Sequence, residues 1–138
     1  MTIDETANDV RDEFSFLDDW EARYAHLIDL GKANKALEDH ERSEATRVRG
    51  CASQVWLISE VRPDGTLSLR AESDAMIVSG LIALLIRLLS GRRPETILAF
   101  DTNALLEEIG VSGALTAQRS NGLASMLNRI QADAQAMI

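Results

Sequence analysis

The run from Met76 to Leu89 carries a single charge, Arg87, and is apolar nearly all the way round when wound as a helix. Such a segment has no polar face to turn to water, so it folds only where other elements cover it on several sides. As a helix it would reach about 21 Å at roughly 1.5 Å per residue, short of the ~30 Å hydrocarbon core of a bilayer. The run therefore predicts a buried central helix rather than a membrane span. The rest of the chain must supply what packs against it.

Just upstream the period is two. Val55, Leu57 and Val61 fall on one face and Trp56, Ile58 and Glu60 on the other, a strand pattern with both faces partly covered. Pro63-Asp64-Gly65-Thr66 then supplies a preset corner and a residue suited to positive φ, and Leu67, Leu69 and Ala71 alternate with Ser68, Arg70 and Glu72. This predicts a β-hairpin from about Gln54 to Glu72, to which Arg47-Val48-Arg49 adds a third strand. Ser73 or Asp74 is placed to cap the central helix.

Leu17, Trp20, Tyr24, Leu27 and Ile28 recur at helical spacing, with Asp18 or Asp19 as cap and Gly31 at the end. From Lys32 to Glu44 the chain is polar with little periodicity, apart from Ala36 and Leu37, and reads as an irregular connection with a helical turn. Downstream, a short helix is expected over Asn103 to Glu108, with Asp101 or Thr102 as cap and Gly110 beyond it. A last helix begins near Ser120 and carries Leu123, Met126, Leu127, Ile130 and Ala134 on one stripe. The expected class is α+β, a small antiparallel sheet of about three strands covered by helices, built as one domain over residues 1–138.

The formal charge of −8 is unevenly spread. Up to Thr46 there are 13 acidic and 5 basic residues, and from Arg47 onward 9 of each, so the whole excess lies in the first third. Phosphate contacts need a surplus of lysine and arginine, which argues against a nucleic-acid partner. The acidic face reads either as a solvated helical surface or as a docking patch for a basic partner. The start of the chain has neither the basic residues nor the apolar run of an export signal, so a cytoplasmic, reducing setting and no membrane partner are expected.

In that setting the chain's one cysteine, Cys51, cannot form an internal disulfide. It stands in a small-residue stretch, Gly50-Cys51-Ala52-Ser53, at the mouth of a strand. Two readings stay open on the residues alone: an inert small core side chain, or an exposed thiol that a partner can approach closely. A thiol of ordinary pKa, ~8.5, is only a few per cent ionised at neutral pH, so cations nearby would favour reaction. Arg47 and Arg49 share a face with Cys51 if the segment is extended, although Gly50 can undo that alignment. His26 and His40 are isolated from any cysteine or carboxylate at ligand spacing, so no metal site is expected. No phosphate-binding glycine loop or GxSxG elbow is present, and no cofactor is implied.

Gly50-Cys51-Ala52-Ser53-Gln54-Val55-Trp56-Leu57 resembles the GCxSxVWL signature around the acceptor cysteine of the SufE family of cysteine desulfurase activators. Three further segments resemble the same family in order and spacing. They are Asp18-Asp19-Trp20-Glu21-Ala22-Arg23-Tyr24 with Leu27 to Lys32, Asp74-Ala75 with Val78 and Gly80 to Leu85, and Arg119-Ser120-Asn121-Gly122-Leu123, which matches RxNGL. The resemblance covers about Phe16 to Ile130. It implies a fold similar to the IscU scaffold and a non-enzymatic role in which Cys51 takes persulfide sulfur from a pyridoxal-phosphate cysteine desulfurase of the SufS type. The chain would stimulate that enzyme and pass the sulfur to an iron-sulfur scaffold complex of the SufBCD type.

By the same resemblance Arg119 would face the partner or the cysteine loop, and Asp74 would lie near that loop and influence its mobility. The sequence departs from the family pattern where many members have proline: at Asn34-Lys35, at Arg49 before the glycine-cysteine pair, and at Ala117-Gln118 ahead of Arg119. A desulfurase of the CsdA type, a non-catalytic interaction domain bound through the acidic face, and an iron-sulfur scaffold are the alternatives. The last is disfavoured because such scaffolds need several cysteine ligands.

Overall fold

A computed structural model describes residues 1–48, 54–111 and 117–138, apart from the side chains of 117–123. The described elements are α1 (Ile3–Ser15), α2 (Trp20–Lys32), a 3-10 turn (Asp39–Glu41), β1 (Val55–Val61), β2 (Leu67–Ser73), α3 (Met76–Leu89), α4 (Pro94–Ala99), α5 (Thr102–Glu108) and α6 (Ala117–Ala136). The class is α+β, as the alternating and helical periods require.

The all-apolar run is α3, and its place explains the rest. Leu81, Ile82, Leu84, Leu85, Leu88 and Leu89 are essentially solvent-free. α2 lies across one side of α3, the hairpin across another, and α1 and α6 reach it as well. The crossing with α2 is close because both helices carry glycine there. A Cβ on Gly80 would sit 2.1 Å from the Leu27 carbonyl oxygen, and one on Gly31 would sit 2.9 Å from the Gly80 amide nitrogen. Gly31 thus serves the contact, and α2 runs one residue beyond it to Lys32. One buried cluster draws on each of the described helices α1 to α6 and on β1 and β2.

The hairpin is antiparallel with Val55 opposite Ser73 and Val61 opposite Leu67. Val55, Leu57, Leu67, Leu69 and Ala71 point into the core. Gly65 takes φ +84 in the turn, as the Pro-Asp-Gly-Thr sequence demands. The expected third strand is corrected for the described residues: Arg47 meets Trp56 in an isolated bridge and the sheet they form has two strands, while Arg49 lies outside them. The reason is local. Backbone bonds from Thr46 and Arg47 to the Ser43 carbonyl form a turn directly upstream, so the ladder does not extend back past Thr46.

Two helices were hidden from periodicity. α1 opens with a capping box between Thr2 and Glu5 and buries Ile3, Ala7, Val10 and Phe14 while turning Asp4, Glu5, Asp9 and Asp12 outward. α4 begins at Pro94 and is a turn and a half long. The cap of α2 is Asp19 and that of α5 is Asp101, each accepting an amide hydrogen from three residues on. α6 starts at Ala117, three residues before the expected Ser120, and buries Met126, Leu127, Ile130 and Ala134. Leu123 has its side chain outside the described set.

Candidate functional site

Cys51 and Arg49 lie outside the described residues, and Arg119 lies on α6 with its side chain outside them. The structure describes the two stems between which residues 49–53 run, and both are held by specific bonds. The Val48 amide donates to the Val55 carbonyl at 2.8 Å, and the Leu57 amide donates to the Thr46 carbonyl at 2.8 Å. The chain therefore enters on Val48 and returns on Gln54 and Val55, with the two stems paired side by side.

Each stem is then gripped from outside the pair. On the returning side Asp74 accepts the Gln54 amide hydrogen on Oδ1 at 3.0 Å, and the Asp74 amide donates back to the Gln54 carbonyl at 3.3 Å. The expected cap at Ser73 or Asp74 is thereby corrected: α3 has Ala75 at its N-cap with no side-chain bond. Asp74 is drawn away from the helix end because the first residue before β1 presents an amide that the hairpin ladder does not use. Ser73 accepts the Ala75 amide hydrogen instead.

On the entering side the grip comes from α6. Arg129 Nη1 donates to the Arg47 carbonyl at 2.8 Å and Nη2 donates to the Ala45 carbonyl at 2.7 Å. One turn further along α6, Asp133 Oδ2 accepts a hydrogen bond from Ser59 on β1 at 2.7 Å. Arg47, a sequence candidate for activating the thiol, is half-buried, and the described bonds use its backbone rather than its guanidinium. Nothing in the residue pattern shows that Arg129 would reach these carbonyls, since its helix position looks like any solvated arginine beside an apolar stripe.

The connection leading to this stem is itself pinned to the outer face of the hairpin. Arg70 donates to Glu41 at 2.5 and 3.0 Å, and this holds the Glu41 carboxyl at about 2, far below its ordinary 4.5. Glu72 takes the Leu37 amide hydrogen at 2.8 Å and pairs with Arg42 at 3.2 Å, while Arg42 also pairs with Asp39. Beside Asp74 a cleft of about 150 Å³ is lined by Ile28, Gly31, Lys32, Asp74, Met76 and Ser79. Met76 is 58% exposed at its rim.

The histidines stand apart from this region. His26 contacts Glu13 and meets the edge of the Phe14 ring, and His40 is exposed on the 3-10 turn. Among the described residues no group of three or more His, Cys, Asp or Glu side chains could hold a metal ion. No helix among them is long and apolar enough to cross a membrane. The described frame ties the two stems to each other, to Asp74 and to α6. What it can do is fix where a short span begins and ends, leaving chemistry to side chains within the span.

Comparison with known proteins gives this frame a lineage. Residues 8–134 match the family model described as SufE, Fe-S metabolism associated domain. A SufE-like protein of Rhizobium etli is 43% identical over 127 residues, covering 90% of this chain and 86% of that one. One of Rhizobium meliloti is 41% identical over 127 residues, covering 90% and 91%. A hypothetical protein of Thermus thermophilus, solved in solution, shares the fold with a TM-score of 0.77 over 96% of this chain and 95% of its own, at 22% identity. The chain belongs to the SufE family, whose domains are associated with iron-sulfur metabolism.

Proposed function

We propose that this protein is a sulfur carrier in which Cys51 receives the outer sulfur of a persulfide formed on a pyridoxal-phosphate cysteine desulfurase, as a single domain without a cofactor of its own. The observation that carries the reading is the chain's one cysteine, set in Gly50-Cys51-Ala52-Ser53 between two stems that are paired and externally gripped. A thiol offered on a short span between fixed ends suits an acceptor, because the partner must bring its own persulfide within bonding distance.

The transfer is an exchange at sulfur. The Cys51 thiolate attacks the outer sulfur of the donor persulfide, a new S–S bond forms on Cys51, and the old S–S bond breaks to leave the desulfurase thiolate. One sulfur atom moves and no electrons are left over. Arg49 and Arg119 are the residues proposed to favour the anionic sulfur or to face the donor. The carried sulfur then goes to an iron-sulfur scaffold, and in a SufE-type carrier the donor is of the SufS type, with the CsdA type as the variant to test beside it.

The test is mass spectrometry of the protein after incubation with each desulfurase and cysteine. Cys51 is expected to gain one sulfur, removable by reductant, and desulfurase turnover is expected to rise. Cys51→Ser is expected to abolish both effects. Stimulation that survives Cys51→Ser would instead support a non-catalytic interaction domain.

A further inference from the structure

The guanidinium of Arg129 makes two charge-assisted bonds to backbone carbonyls of the stem that enters the Cys51 span, and neither carbonyl belongs to its own helix. A surface arginine normally keeps its charge in water or pairs it with a carboxylate. Here the fork spans Ala45, in the turn closed by the Ser43 carbonyl, and Arg47, where that turn gives way to the bridge with Trp56. Between them, Thr46 accepts the Leu57 amide hydrogen on the opposite edge, and Val48 donates to Val55. The segment is therefore tied on one edge to β1 and on the other to α6. Among the described residues the stem meets β1 through one isolated bridge, and the Arg129 fork holds the carbonyls that this bridge does not use.

The geometry points to Arg129 as a positioning residue for sulfur acceptance: by clamping the Ala45 and Arg47 carbonyls to α6, it fixes the register in which the entering stem meets β1. This rests on the acceptor reading of Cys51. Register matters because a slip by one residue turns every side chain of the segment to the other face. Lysine has a single ammonium and cannot hold two carbonyls in a fixed fork, so it restores only part of the clamp. The neighbouring tie between Asp133 and Ser59 also joins α6 to the sheet, but it touches β1 and leaves the stem alone.

Those two ties allow a clean experiment. Loading of Cys51 by a desulfurase and cysteine is followed by mass spectrometry in wild type, Arg129→Ala, Arg129→Lys and Ser59→Ala, and amide exchange is measured on the free proteins. Arg129→Ala is expected to load on the order of tenfold more slowly and to lose protection at the Val48 and Leu57 amides. The Leu67 amide, bonded to the Arg92 carbonyl at 2.9 Å on the far side of the hairpin, is expected to keep its protection. Arg129→Lys should fall between, and Ser59→Ala should load as wild type does.

Loading of Arg129→Ala at the wild-type rate would overturn the assignment. So would an equal slowing in Ser59→Ala, which would mean that attachment of α6 in general is what counts, or an equal loss of protection at Leu67, which would mean general loosening. A wild-type protein that takes no sulfur would refute the acceptor reading itself, and the positioning role with it.

Discussion

At the scale of single residues, Asp74 shows how a side chain fit for one role is taken by another. Its position just ahead of α3 suits a cap, yet its carboxylate accepts the Gln54 amide hydrogen, a bond between residues 20 positions apart. The bond is exposed, so its net worth to the fold is about 1 kcal/mol or less. Asp74→Ala is therefore expected to lower stability by that small amount in urea unfolding. Hydrogen exchange at the Gln54 amide should rise at the same time, with the amides inside α3 unchanged. Loss of protection spreading into the first turn of α3 would show that Asp74 serves the helix after all. Because Gln54 stands three residues after Cys51, the same variant is expected to change the rate at which Cys51 takes sulfur more than it changes the melting temperature.

At the scale of elements, the α2–α3 crossing carries the tightest requirement. Gly80 faces the Leu27 backbone so closely that a methyl group there would lie 2.1 Å from the carbonyl oxygen and 2.6 Å from its carbon. Backbone on both sides must move to admit it, so Gly80→Ala should destabilise by about 3 kcal/mol, read as a lower urea midpoint. A midpoint within error of wild type would mean that the two helices slide apart at little cost. Such contacts mark the limit of what the sequence makes legible. α2, the hairpin, α3, α5 and α6 can be read because each has a period, a cap or a turn written into neighbouring residues. α1 cannot be read as readily, since its stripe of Ile3, Ala7, Val10 and Phe14 is thin and surrounded by acids, and α4 is too short to show a period. In the candidate site the cysteine motif is plain from adjacent residues, whereas the hold of Arg129 on Ala45 and Arg47 joins positions 82 and 84 residues apart and has no local trace.

At the scale of the whole molecule, the acidic excess and the paired carboxylates pull stability in opposite directions as pH falls. Protonating exposed acids of the first third relieves their mutual repulsion. Protonating carboxyls that the fold holds ionised removes stabilisation. Glu41, Glu5, Asp64 and Glu13 are of the second kind. Glu41 is held at about 2 by Arg70 and by its backbone bond at Glu38, and Glu5 is lowered by its capping bonds with Thr2. Asp64 is lowered by the side chain and backbone of Thr66, and Glu13 is lowered because bonds from Arg87 and His26 outweigh the upward push of its burial. For each, the folded pKa lies below the unfolded one. The native state thus binds fewer protons than the unfolded chain, and the contribution is complete above the unfolded value and fades as pH drops toward the folded one. For Glu41 that window runs from about 4.5 down to about 2. Glu41→Gln should therefore be less stable than wild type at pH 7, by an amount that holds down to about pH 5 and then shrinks toward zero as wild-type Glu41 takes up its proton. The check is the difference in urea midpoint between the two proteins at pH 7, 5, 4 and 3, repeated at high salt, where screening should reduce the gap at neutral pH. A gap that stays constant to pH 3, or widens there, would show that Arg70 does not hold the connection to the hairpin through that charge. The Ala45 to Arg47 stem would then owe its place to Arg129 and the β1 backbone.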